Sequence, residues 1–269
     1  MIKIEGKKFD WFGLTQILKE HKGKLRQIRM LSVNELKKKY KGAALGPLWA
    51  LIKPTFTLFI LWFAFEIGLK RNGGVHFING KYTQFVFMLT GYVPWFYISE
   101  CIVGGSRSIR SNKQFVTKLS FPVSNIMTFT SLSGLYIHIL LCAIMYVVLL
   151  CLGFGPSIYN LQFIYYALMM YFFFLVLSWM TAPLSAFSKD FENLINSVIT
   201  GLFWLSGIFW NTYDISPLWL RKLMYFNPIN YFVNGYRKSF LTDTFIFDSN
   251  YTTETIAVSY THLTLPTNR

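Results

Sequence analysis

His138 is the one histidine set deep in an apolar stretch, and Glu66 and Glu100 are the acids nearest to such stretches. A histidine inside a membrane can relay protons, but His138 has no acid near it in sequence, which favours a hydrogen-bonded structural role. Glu66 and Glu100 fall near the ends of their stretches, where water or headgroups solvate a carboxylate. Proton-coupled carriers usually hold a titratable group within the membrane. The pattern therefore points to energy arriving from another subunit. No G-x-x-x-x-G-K-[ST] loop, H-E-x-x-H, C-x-x-C or G-x-S-x-G occurs, so no catalytic residue and no metal site is assigned. Cys101, Cys142 and Cys151 lie in or beside apolar runs and read as small buried residues, not a redox framework.

Aromatic residues supply a second kind of chemistry. Trp62 and Phe65, then Tyr92, Trp95 and Phe96, then Trp204, Phe209 and Trp210, fall in three separate apolar stretches. Flat rings suit sugars, whose C–H groups pack on π faces while the hydroxyls stay hydrated, so these residues are candidates to line a path. Trp and Tyr also gather at both membrane interfaces whatever the substrate, and both readings stand. Ser197 with Gly201, and Thr130 with Gly134, are four apart and would allow close helix approach.

The elements that must position these residues follow from composition. Of the 269 residues, 53% are hydrophobic, 19% aromatic and 14% charged, with mean hydropathy +0.38. Soluble domains carry about 25% charged residues. The 70 residues from Leu119 to Ser188 contain no Asp, Glu, Lys or Arg, and a bilayer core needs about 20 apolar residues per helix. That stretch predicts two spans with a turn at Gly155-Pro156-Ser157. A soluble enzyme, a disordered chain and a disulfide-stapled domain are excluded. Further spans are predicted over Leu45 to Gly68, with Lys53 snorkelling at its inner end, over Thr83 to Val103, kinked at Pro94, and within Asn193 to Tyr213. Arg221-Lys222 and Arg237-Lys238 bracket too few uncharged residues for a crossing, so a re-entrant or interfacial pair of short helices is expected there.

The formal net charge is +14, and 13 of the 26 basic residues precede residue 54. Without a reading motif this is not a nucleic-acid surface. Phe9 to Lys41 reads as an amphipathic segment at the membrane surface, its Lys37-Lys38-Lys39 facing anionic headgroups. Arg107, Arg110, Lys113 and Lys118 join spans two and three with no acid among them, as a cytoplasmic loop should, and they place the N-terminus inside the cell. No signal peptide is expected. The expected fold is an all-α integral membrane bundle. It comprises a basic amphipathic segment (1–44), five spans (45–213), outer re-entrant helices (214–241), an outer loop (242–257) and a tail of foreign composition (258–269). A sixth span is expected to have been lost by truncation.

Four motifs in order, ELKKKYKGAALGPLWALIKP (35–54), KLSFPVSNI (118–126), FSKDFENL (187–194) and FNPINYFVNGYRKSF (226–240), resemble the membrane subunit of type-2 ABC polysaccharide exporters. That group moves teichoic acids, O-antigens and capsular chains, and LWFAFEIG with GYVPWFYI resembles its teichoic acid members most. The resemblance implies a permease subunit, not an enzyme, acting as a homodimer in a bacterial cytoplasmic membrane. Its partner would be a separate cytosolic ABC ATPase that binds ATP and Mg, and its cargo a lipid-linked polysaccharide; the chain itself would hold no cofactor. Arg107, Arg110, Lys113 and Lys118 would transmit ATPase closure, aided by Lys189 and Asp190 in the next inner loop. Asn227, Pro228 and Arg237 would belong to the re-entrant segment. A permease for small drugs or lipids and a membrane glycan transferase are the alternatives.

Overall fold

The computed structural model describes residues 12–69, 73–117 and 121–245. Trp11, Lys118, the 258–269 tail and any sixth span lie outside them. Charge-free runs become helices because lipid offers no partner to a bare backbone N–H or C=O, and the helix satisfies each within its own segment. Two surface helices, α1 (Phe12–His21) and α2 (Leu25–Lys39), lead into α3 (Trp49–Trp62), which continues as a π-helical turn, Phe63–Gly68. A hairpin of β1 (Val75–Phe77) and β2 (Gly80–Tyr82) follows, then α4 (Gln84–Ser111) and the short α5 (Lys113–Thr117). The chain continues through α6 (Ser124–Cys151), α7 (Gln162–Phe187), α8 (Lys189–Leu205), α9 (Leu218–Tyr225) and α10 (Pro228–Leu241).

Local signals set the ends. Thr83 Oγ1 accepts from the Val86 N–H at 3.3 Å and caps α4. Gly153, with φ +92°, closes α6: its N–H reaches the Leu150 carbonyl at 3.1 Å and the Phe154 N–H reaches Leu149 at 3.0 Å. This 6→1 and 5→2 pair needs a left-handed residue, which glycine supplies without a Cβ clash.

Four helical segments among the described residues are long and apolar enough to cross a membrane: Gly46–Gly68, Gln84–Ser111, Ser124–Cys151 and Ile158–Phe187. The segment expected to be the fifth span starts earlier and stops sooner than its charge-free run. It forms α8, of 17 residues, or about 25 Å at 1.5 Å per residue, short of a core about 30 Å thick. Gly207 ends it at φ +66°, and a Cβ there would lie 2.4 Å from Thr212 Cγ2.

α4 is the axis of the bundle, with α6, α7, α8 and α10 packed around it. Its apolar window is 78% buried, whereas that of the α3 segment is 17% buried and exposes Phe56, Phe59, Ile60 and Phe63. The closest glycine approach joins α4 to α7, where a Cβ on Gly105 would lie 2.1 Å from Ser178 Oγ. The small-residue pairs seen in the sequence do not make such contacts: Gly201 faces open space and Gly134 only an ordinary contact with Tyr97.

Candidate functional site

One end of the bundle is assembled from α2, α4, α5 and α8. Arg107 and Arg110, three apart on the last turns of α4, face the first turn of α8. There Arg107 Nε lies 2.6 Å from Glu192 Oε1, and Arg110 Nη1 lies 3.7 Å from Oε2 of the same carboxylate. Arg107 Nη2 also donates to Asn196 Oδ1 at 3.1 Å, and Arg110 donates to the Ser185 carbonyl at the end of α7. The carboxylate is placed by helix chemistry. Ser188 caps α8 by accepting from the Asp190 N–H at 3.1 Å, and Asp190 and Glu192 then occupy the first turn, where the helix dipole favours acids.

The predicted basic group is thereby divided. Arg107 and Arg110 pair with Glu192 as a partly exposed clasp between α4 and α8, while Lys113 on α5 and Lys189 with Asp190 are exposed and make no ion pair among the described residues. Phe115 holds α5 against the start of α6, with ring centroids 5.3 Å from Phe121 and 5.7 Å from Phe129. Buried Asn112, at the α4–α5 junction, accepts from Lys38 Nζ at 3.2 Å, and Lys39 pairs with Glu100. The surface helix α2 is tied by these bonds to the same end of the bundle. Next to it, burial pushes the Tyr40 phenol above its ordinary value. Glu192, Asn196, Asn112 and Ser185 were not singled out in the sequence. Glu192 stands within the FSKDFENL motif, and an acid in the first turn after a capping serine is the signal that marks it.

At the other end, α10 carries Asn227, Asn230, Asn234 and Arg237 along one inward stripe. Asn227 Oδ1 accepts from the Ile229 and Asn230 N–H groups, and Pro228 takes the first helical position. Asn234 Nδ2 donates to Thr212 Oγ1 and to Asn230 Oδ1, both at 3.1 Å. Arg237 is fully buried. Its fork donates to the carbonyls of Gly207 and Ile208, each at 2.7 Å, to the Phe87 carbonyl from Nε at 3.3 Å and Nη2 at 3.2 Å, and to Asn234 Oδ1 at 3.1 Å. All five guanidinium N–H groups thus have an acceptor. Gly207 and Ile208 lie in the turn that follows α8, so Arg237 satisfies carbonyls of that turn and fixes the chain just beyond the helix.

Four of the aromatic candidates converge around Phe209, itself such a candidate in the third stretch, and Phe203, which was not singled out in the sequence. Trp95 lies 5.4 Å from Phe203, Tyr92 6.4 Å from it, Phe65 stacks on Phe209 at 5.4 Å, and Trp204 is 5.3 Å from Phe209. Tyr92, Trp95 and Phe96 are buried within this one chain, so their faces are occupied by intramolecular packing. Trp204 is 53% exposed, and half-buried Trp62 and Trp210 are held by N–H donation to Glu66 and, at 3.1 Å, to the Trp204 carbonyl. Trp210 borders a concavity of about 350 Å³ with Asp214 and His76. His138 has the expected structural bond: its Nε2 meets the Tyr236 hydroxyl at 2.6 Å. No group of three or more metal-ligating side chains occurs among the described residues.

Comparison with known proteins agrees with this architecture. Over 207 residues, 77% of this chain and 76% of the relative, the sequence is 25% identical to the O-antigen export system permease protein RfbA of Myxococcus xanthus. Two Klebsiella pneumoniae proteins of the same name are each 26% identical, over 225 residues (80% of each chain) and 220 residues (79% of each). The family model described as ABC-2 type transporter matches residues 26–241, from α2 through the last residue of α10. The clasp between α4 and α8, the carbonyl-bound Arg237 and the four long spans are therefore features of a multi-pass membrane protein that belongs to the ABC-2 type transporter family.

Proposed function

We propose that this chain is the permease subunit of an exporter that carries a lipid-linked polysaccharide, of the O-antigen, teichoic acid or capsule class, across a bacterial cytoplasmic membrane. The observation that supports it most is the match to O-antigen export permeases along three quarters or more of both chains. Membership in the ABC-2 family implies an ABC ATPase partner. In this reading that partner binds ATP and Mg, docks on the exposed Lys113 of α5 and on Lys189 and Asp190, and drives two copies of this chain. The N-terminus, α1 and α2 lie on the cytoplasmic side.

The clasp gives this assembly its coupling element. A push on α5 or on the α7–α8 turn moves Glu192 against Arg107 and Arg110, and so moves α8 and α4 together. Proteoliposomes containing the chain and its cognate ABC ATPase provide the test. Polymer uptake that requires both ATP and that ATPase is the expected result. Glycan-modifying activity in the ATPase's absence, or no transport with a defined lipid-linked glycan, would overturn it.

A further inference from the structure

Lys37, Lys38 and Lys39 form one basic run on α2, and the structure gives its members different tasks. Lys37 is exposed and, among the described residues, makes neither an ion pair nor a side-chain hydrogen bond. Lys38 and Lys39 turn toward α4. Lys38 Nζ donates to Asn112 Oδ1 at 3.2 Å, and Lys39 pairs with Glu100.

Glu100 and Asn112 stand twelve residues apart on α4 and its cap, about 18 Å along a helix that rises 1.5 Å per residue. The Cα atoms of two adjacent lysines are only about 3.8 Å apart. Lys38 and Lys39 therefore reach in opposite directions along α4. A slide of α4 past α2 in one sense draws Glu100 away from Lys39, and a slide in the other sense draws Asn112 away from Lys38.

The first half of α2 is anchored elsewhere. Its buried residues, Ile28 and Ser32, face α6, where Ser32 Oγ donates to the Tyr136 hydroxyl at 3.2 Å. A cleft of about 590 Å³ opens between α2 and α4, and both lysines, Glu100 and Asn112 line it. Long side chains, not close helix packing, thus set the register there. Asn112 extends the hold to α5. It is buried, its Nδ2 donates to the Ser108 carbonyl at 3.2 Å, and its own carbonyl accepts from the Phe115 N–H at 3.0 Å. Partly exposed ion pairs such as Lys39–Glu100 add little to stability, so what they supply is position.

We infer that Lys38 and Lys39 are positioning residues, a two-way brace that keeps α4 at one axial position on α2, so that a push at α5 tilts α4 and does not slide it. The inference rests on the coupling route of the proposed function, and deepens it by setting the direction in which α4 can move.

Spin labels at Asn34→Cys on α2 and Ser111→Cys at the end of α4 read the brace without ATPase or polymer. The full chain is placed in lipid nanodiscs with exposed Cys151 replaced by Ser, since Cys101 and Cys142 are buried. Pulsed electron paramagnetic resonance should give one narrow distance distribution. Lys39→Glu and Glu100→Lys should each broaden it, and the two combined should narrow it again, a rescue that a general loss of packing does not produce. Lys38→Leu should also broaden it, whereas Lys37→Glu should not, and equal elution on size exclusion shows that each variant is folded. In proteoliposomes with the cognate ABC ATPase and a defined lipid-linked glycan, Lys39→Glu and Glu100→Lys should each lower the ratio of transport to ATP turnover about fivefold. The KM for ATP should not change, and the charge swap should recover the ratio. Single variants with wild-type widths, a swap without rescue, or single variants with a wild-type ratio would overturn the inference. A wild type that takes up no glycan while the widths respond as expected would sink the transport reading alone and leave the brace standing.

Discussion

Arg237 lies over the ring of Phe87, its guanidinium carbon 3.5 Å from the ring centroid, and donates to the backbone carbonyl of that same residue. One side chain of α10 thus grips α4 by a π face and by a peptide oxygen at once. Gly91 makes the approach possible, since a Cβ there would stand 2.5 Å from Arg237 Nη2.

Replacing this arginine should reveal how much of this end of the bundle depends on it. Arg237→Met leaves the Gly207 and Ile208 carbonyls without their donor, and each buried orphan costs about 1–3 kcal/mol. Arg237→Lys keeps the charge but not the planar fork, so it should recover only part of the loss. Thermal unfolding in detergent, followed by size-exclusion fluorescence, should rank wild type above Lys above Met. A lysine variant as stable as wild type would refute the role given to the fork.

Gly91→Ala should destabilise by about 1–3 kcal/mol, the cost typical of overpacking, because the guanidinium is held by several acceptors and cannot withdraw. Gly134→Ala is the matched comparison, since its nearest neighbour, Tyr97 Cε2, would be at 3.6 Å. Equal midpoints for the two variants would show that the close approach is not maintained in the membrane protein.

In the clasp between α4 and α8, Glu192→Gln should cost only about 1 kcal/mol of stability, as for a partly exposed ion pair. It should nonetheless lower the stimulation of ATP hydrolysis by substrate. Charge reversal at Arg107 and Arg110 should do the same, and a Glu192→Arg change combined with Arg107→Glu should restore part of the coupling. The measurement is the ratio of transport to ATP turnover in vesicles. A ratio unchanged in the single variants would remove the clasp from the coupling route.

His138 makes its bond to a tyrosine hydroxyl, with Cys142 Sγ 3.4 Å away, and among the described residues no carboxylate is bonded to it. Transport by His138→Gln should therefore show the same dependence on external pH between about 6 and 8 as wild type, while Tyr236→Phe lowers stability by about 1 kcal/mol. A flattened pH profile in the glutamine variant would instead make this residue a proton carrier.

The spans were legible because a charge-free run of sufficient length has one stable solution in lipid. The limits of α8 were not, since Asn193 to Tyr213 is uniformly uncharged and only Gly207 explains the stop, with the chain just beyond it fixed by an arginine thirty residues away. Arg107 and Arg110 stood out as isolated cations, whereas their shared partner is a single acid in a distant motif, and pairing across 80 residues has no local signature. The β1–β2 hairpin also escaped notice. Asn79-Gly80 is a hairpin-turn dipeptide, but the observed pairing of Phe77 with Gly80 makes Ile78-Asn79 the turn, with Ile78 at φ 54°. Ring positions such as Tyr92 and Trp95 were visible as aromatic, while their burial depends on Phe203 arriving from α8.

Pro94 lies between the two places where α4 is gripped, the Phe87 carbonyl near its start and Arg107 near its end. Having no N–H, it cannot complete the bond to the Thr90 carbonyl, so the helix is softest there. A rod pinned at both ends and weakened between them converts a sideways pull on one pin into a change of angle, not of length. The central helix is thus built as a lever whose fulcrum is a proline.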